Sequence, residues 1–367
     1  MSSKQQYRPN AQALGPSQGQ CPRNGTNTSR TARVDQARWL QASRLKSQRQ
    51  RPRTGTAKRF VQGLLTALCL LLATGVSASD NTNSSKPLRI AYVDWSSSVA
   101  SANVVCAVLT EHLEQPCELI ETSADAMWRM VAEGEADVLL SAWLPDTHAD
   151  YFAQYRDQLE DLGPNLDGTK TGLVIPATGV GRQTDQRGVQ TQPSLQIQSI
   201  EQLAERRQAL GGRIIGIDPE AGIMSATETA ISTYNLSGFR LVAGSESQMT
   251  DALANAIARN QPVVVTGWIP HWMFGRWSLR FLDDPEGVYG GTGSIHTMVR
   301  TGLSDDRPQA AAVLDRFAWD AQAMEQLLVW IHQDQGRDPY AQALRWLRAN
   351  PQRVQAWLGD AQPSENP

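Results

Sequence analysis

Between residues 88 and 268 the chain alternates short apolar runs with amphipathic stretches, and it does so in two similar blocks. In the first, "LRIAYVDW" (88–95) predicts a strand. "SSSVASANVVCAVLTEHL" (96–113) predicts a helix with apolar residues at 105, 108, 109 and 113, opened by serines suited to capping. "CELIE" (117–121) is a strand, "ADAMWRMVAEG" (124–134) a helix with Met127, Met130 and Val131 on one face, and "ADVLLSAW" (136–143) a third strand. The second block follows the same plan. "GRIIGID" (212–218), "FRLVAG" (239–244) and "PVVVTGW" (262–268) are its strands, and "EAGIMSATETAISTYN" (220–235) and "ESQMTDALANAIAR" (246–259) its helices. Each β-α-β-α-β string implies a parallel sheet with right-handed crossovers. The blocks also end alike, in "LLSAWLP" (139–145) and "VVTGWIP" (264–270).

Two extended apolar stretches, "TKTGLVIPAT" (169–178) and "SIHTMVRTGL" (294–303), are expected to cross between the lobes, and a polar loop (181–198) follows the first. From Pro308 onward the pattern is helical, and these helices would cover the first lobe. The expected organisation is α/β and two-lobed. Residues 87–174 and 294–360 form lobe 1, residues 175–293 form lobe 2, and 361–367 are a loose tail. Two lobes joined by two crossings make a hinged clamshell that holds a ligand in its cleft.

Composition refines this picture at the N-terminus. Of the 34 Lys and Arg residues, 13 lie in residues 1–78 beside a single acid, so the remainder carries a net charge of −15. A body that acidic is not built to grip nucleic acid or an anionic membrane surface by charge. "QRQRPRTGTAKRF", "VQGLLTALCLLLATG" and the small-x-small triplet "VSA" read as the basic, apolar and cleavage regions of a signal peptide cut near Ala78, behind a polar extension. Export to the periplasm is therefore expected. Beyond Ala78 only Cys106 and Cys117 remain, and an oxidising compartment allows them either to bond or to stay two buried thiols. The five histidines show no metal-ligand spacing, and no metal or cofactor is expected.

The chemistry lies at the ends of the strands. Trp95, Trp143 and Trp268 are placed where ligands sit in α/β folds. A quaternary ammonium has no N–H to donate, so indole faces can hold its charge and bury its methyl groups, at about 0.5–2 kcal/mol per face. "PEAGIM" (219–224) opens a helix whose first amides, with Gly222 allowing close approach and Ile223 next, suit an anion. His148 can add a donor from the opposite lobe. A zwitterion combines both needs.

The stretches "AYVDWSSSVASANVV", "SAWLPDTHADY", "GIDPEAGIM" and "VVTGWIPHWMF" resemble the glycine betaine/proline betaine-binding components of osmoprotectant ABC transporters, from about Leu88 to Leu358. The resemblance implies a periplasmic-binding-protein fold, type II-like. It assigns Trp95, Trp143 and Trp268 to a prism around the trimethylammonium group, and His148 with the Gly222 and Ile223 amides to the carboxylate. It implies no enzymatic activity. A monomer would bind a small betaine and deliver it to a membrane permease of the ABC transporter. Two departures stand out: the 181–198 loop is longer than the usual link, and Ser97 occupies a position where choline-binding relatives keep an acid. Choline, carnitine or a sensing role are the alternatives.

The other candidates have blander readings. Trp128 is expected in the core, Trp272 and Trp277 in lobe packing rather than the cage rim, and Trp319, Trp330, Trp346 and Trp357 in docking the C-terminal helices. His271 is expected to act at one remove from the ligand, and "GGTGS" (290–294) to be a turn. No nucleophile–base motif is present.

Overall fold

The first block folds as its pattern dictates. In the computed structural model, which describes residues 86–177 and 195–359 apart from Gln196, β1 (Leu88–Tyr92), α1 (Ser96–Leu113), β2 (Cys117–Glu121), α2 (Ala124–Ala132) and β3 (Val138–Leu144) follow in order. The signal-peptide segment, Cys21, Cys69, nearly all of the 181–198 loop and the 361–367 tail lie outside the described residues. β1 pairs in parallel with both β2 and β3, as a β-α-β-α-β unit requires. A short helix, α3 (Ala149–Tyr155), then leads into β4 (Leu159–Pro176).

β4 is the element that joins the halves. Its first part pairs antiparallel with β9 (Gly293–Arg300), and its second part, from Lys170 to Val174, pairs antiparallel with β7 (Val265–Ile269). Between the two lie β5 (Arg213–Ile215), α4 (Gly222–Thr233), β6 (Arg240–Val242) and α5 (Glu246–Ala258), with β5 parallel to β6 and β7. α6 (Trp272–Arg276) and β8 (Leu279–Phe281) follow β7, and β8 pairs with the end of β4. The strand order is β2-β1-β3-β9-β4-β7-β5-β6, with β8 on β4. β9 lies wholly in the first half, between β3 and β4, so the return passage runs just ahead of it rather than along residues 294–303.

The C-terminal block comprises α7 (Leu303–Asp306), α8 (Pro308–Arg316), α9 (Ala321–Gln333), α10 (Pro339–Ala349) and α11 (Pro351–Leu358). Helices α8, α9 and α10 pack on α1. This explains why α1 is not the one-sided helix its apolar spacing suggests: from Ser97 to Leu109 every residue but Val99 is buried, because helices cover the face turned away from the sheet. The indoles of Trp319, Trp346 and Trp357 meet at 5.6–5.7 Å between centroids and staple this block, while Arg345 lies over Trp330 at 4.0 Å. Cys106 of α1 and Cys117 of β2 form a disulfide. Among the described residues no helix is long and apolar enough to cross a membrane.

Candidate functional site

Trp143 and Trp268 occupy matching places, near the ends of β3 and β7, and each is followed by an X-Pro peptide in the cis form, Leu144–Pro145 and Ile269–Pro270. Trp95 sits not on a strand but at the residue before α1, since β1 ends at Tyr92. All three indoles are 4–5 % exposed and line one cavity of about 30 Å³, together with Ser97, Thr147, His148, Thr171, Ile217, Ala221, Gly222 and Ile223. The six residues singled out in the sequence are thus brought together from both halves of the fold.

Opposite the indoles the cavity wall is built from backbone and one ring. Gly222 and Ile223 open α4, where the first amides have no intrahelical carbonyl and the helix dipole favours negative charge. A Cβ on Gly222 would lie 1.8 Å from the carbonyl oxygen of Thr147, so only glycine lets the two halves approach this closely. The His148 ring accepts a hydrogen bond at Nδ1 from the Trp143 amide (3.2 Å), which places its hydrogen on Nε2. Complete burial pushes its pKa down to about 3, so the imidazole is a neutral donor. The ring is held by Trp95 at 5.8 Å, Trp128 at 5.9 Å and Tyr151 at 5.7 Å. Trp128 is fully buried, as expected of core, yet it also backs this histidine.

Several residues close the cleft from outside the cavity. Trp95 Nε1 donates to Asp218 Oδ2 at 2.7 Å, and Tyr151 Oη donates to the Glu220 carbonyl at 2.9 Å, both across the two halves. Burial raises the Asp218 pKa, and its Oδ1 is buried without a protein partner. Asp218 stands inside the "GIDPEAGIM" stretch, but nothing local marks it as a partner of Trp95, 123 positions away. The Ser97 hydroxyl is likewise buried and unpartnered, and it borders the cavity.

The remaining candidates lie elsewhere. Asp94, which precedes Trp95, borders a separate cavity with Glu246, Trp272, Trp277 and His332, which none of Trp95, Trp143 and Trp268 lines. Trp272 stacks on His332 at 3.6 Å, so it docks α6 on α9, in keeping with packing. His271 bonds Glu246 rather than bordering the cavity. The serines at the start of α1 do not cap it: Trp95 holds the cap position, and the Ser96 amide donates to Glu246. Of the "GGTGS" stretch expected to be a turn, residues 290–292 bend against Asp146, whose carboxylate accepts from the Gly291 amide, whereas Gly293 and Ser294 already belong to β9.

Residues 86–349 match the family described as the substrate binding domain of ABC-type glycine betaine transport system. The glycine betaine/carnitine transport binding protein of Listeria monocytogenes is 45% identical over 146 residues, 39% of this chain; the match spans about half, 48%, of that relative. A glycine/betaine/L-proline-binding protein from Borrelia burgdorferi is 32% identical, with a TM-score of 0.68 over 76% of this chain and 98% of its own. A lactococcal protein in a closed-liganded conformation complexed with glycine betaine is 35% identical, with a TM-score of 0.65 over 74% of this chain and 99% of its own.

Proposed function

Because the chain belongs to the family of substrate-binding domains of ABC-type glycine betaine transport systems, transport proteins rather than enzymes, we propose that it captures glycine betaine or a close relative for an ABC permease. Trp95, Trp143 and Trp268 cage the ammonium, and His148 with the amides of Gly222 and Ile223 holds the carboxylate. The observation that carries this reading is the single small cavity bounded by all six residues. Three indole faces at about 0.5–2 kcal/mol each, with methyl burial and charge-assisted bonds to the carboxylate, are of the size that micromolar binding needs, about 8 kcal/mol. Asp218 accepts from the Trp95 indole N–H and so fixes the orientation of that ring.

The lobes of this reading are residues 87–174 with 294–360, and 175–293; β4 changes partner between Thr169 and Lys170, about five residues ahead of the first of these boundaries. The protein acts as an exported monomer, with the basic and apolar segment before Ala78 as its signal. A second reading rests on the Ser97 hydroxyl: unpartnered at the cavity wall, it suits the hydroxyl of choline or carnitine. Tryptophan-fluorescence titration of residues 79–367 with glycine betaine and with choline, each repeated by calorimetry, separates the two. Saturable micromolar betaine binding with weaker choline binding supports the cage and anion site together. Tighter choline binding keeps the cage and removes the anion site, and no response to either removes both.

A further inference from the structure

The assignment of Trp95 and Trp268 to the cage leaves open what sets these two walls, which belong to opposite halves of the molecule, at the right separation. Resting on that assignment, we propose that Glu246 is a positioning residue, whose carboxylate ties Ser96 to His271 and thereby aligns the two indoles only when the cleft is closed. Glu246 is the first residue of α5, on the Trp268 side, and is buried. Its Oε2 accepts from the Ser96 amide at 2.8 Å, and its Oε1 accepts from the Ser96 hydroxyl and from His271 Nε2 at 3.0 Å. His271 Nδ1 accepts from the Met273 amide at 3.0 Å, so the hydrogen is on Nε2 and points at the carboxylate.

The two donors adjoin the cage directly. Ser96 follows Trp95, and the His271 ring meets Trp268 edge-on at 4.8 Å. Helix α1 has no side-chain cap of its own and no acid in its first turn, so Glu246, 150 residues away, caps it from across the cleft. The carboxylate stands at the N-terminal ends of α1 and α5 at once, where negative charge is favoured. When the cleft opens, the Ser96 bonds break while the His271 bond, within one half, can persist. Closure then carries a charge-assisted term that acts on release of ligand more than on its entry.

Glu246→Gln and Ser96→Ala, singly and together in the full chain, test the assignment by stopped-flow tryptophan fluorescence with glycine betaine. Spin labels at Ala153→Cys and Glu228→Cys, both at exposed positions, report the closure distance. The expected result is dissociation faster by about 10- to 100-fold in Glu246→Gln, the range for losing a hydrogen bond to a charged group, with association within about twofold of the parent. Ser96→Ala should add little once Glu246 is Gln, because both act through one bond set. Additive effects, or unchanged dissociation in both single variants, would overturn the proposal. A merely local packing defect would lower the melting temperature of the ligand-free protein without this coupling. If the parent binds no quaternary ammonium, the cage reading has failed separately. The label distance then decides: a wider or broader distribution in Glu246→Gln supports the tie, and an unchanged one refutes it.

Discussion

Replacing His148 with alanine separates the two halves of the ligand. Its Nε2–H is fixed by the acceptor role of Nδ1 toward the Trp143 amide, and burial keeps the ring neutral. A neutral N–H donating to a carboxylate is worth about 1.5–3 kcal/mol, which raises Kd by roughly 10- to 150-fold. The ring has a second role, since it fills the space between Trp95, Trp128 and Tyr151. Its loss should loosen the proposed cage for any quaternary ammonium. Choline, which shares the trimethylammonium group and lacks the carboxylate, measures that second cost alone. Calorimetry of the parent and His148→Ala with glycine betaine and choline at pH 7 therefore yields the donor's share as the difference between the two losses. The expected difference is at least tenfold in Kd. Equal losses for both ligands would refute the assignment of His148 as the carboxylate donor.

Three more outcomes are expected. Gly222→Ala should abolish detectable betaine binding while leaving the ligand-free melting temperature within a few degrees, because the added methyl collides with the Thr147 carbonyl across the cleft; retained affinity would contradict the closed geometry. Trp143→Ala should weaken betaine binding with a modest loss of stability, whereas Trp346→Ala, in the C-terminal cluster, should cost about 3–5 kcal/mol in urea unfolding and change Kd little; similar effects on Kd from both would undo the cage. His148 titrates near 6.5 when unfolded but near 3 when folded, so the unfolded chain binds the extra proton between these values and stability falls as pH drops below 6.5, by about 1.4 kcal/mol per unit. His148→Gln removes this contribution, and urea midpoints at pH 7 and pH 5 should converge relative to the parent; parallel pH slopes would show that the ring is not held neutral.

Local patterning carried most of the architecture. The span of α1, the whole of β2 and the doubled β-α-β-α-β plan follow from the apolar period; Ser123 and Ser245, which the sequence reading did not single out, accept the amides that open α2 and α5, whereas the serines of α1 do not cap it. Elements too short to show a period were not legible. α3, α6 and β8 span seven, five and three residues, less than two helical turns or a few strand positions. That the C-terminal helices cover the first lobe was expected; that α1 is the element they bury was not, because an outward face looks the same whether solvent or another helix will meet it.

The sequence by itself determined which residues could make the site: indoles beside strand ends, a glycine at a helix start and a histidine five residues after Trp143. Those features depend on backbone neighbours within a turn or two, where spacing dictates direction. Only the tertiary structure decided that Trp95 bonds Asp218, that Glu246 caps α1 and that Gly222 touches Thr147. Each of those pairs joins segments 75 to 150 positions apart on opposite sides of the cleft. No local rule sets their partners, because burial makes these polar groups find one another only once the two halves have closed.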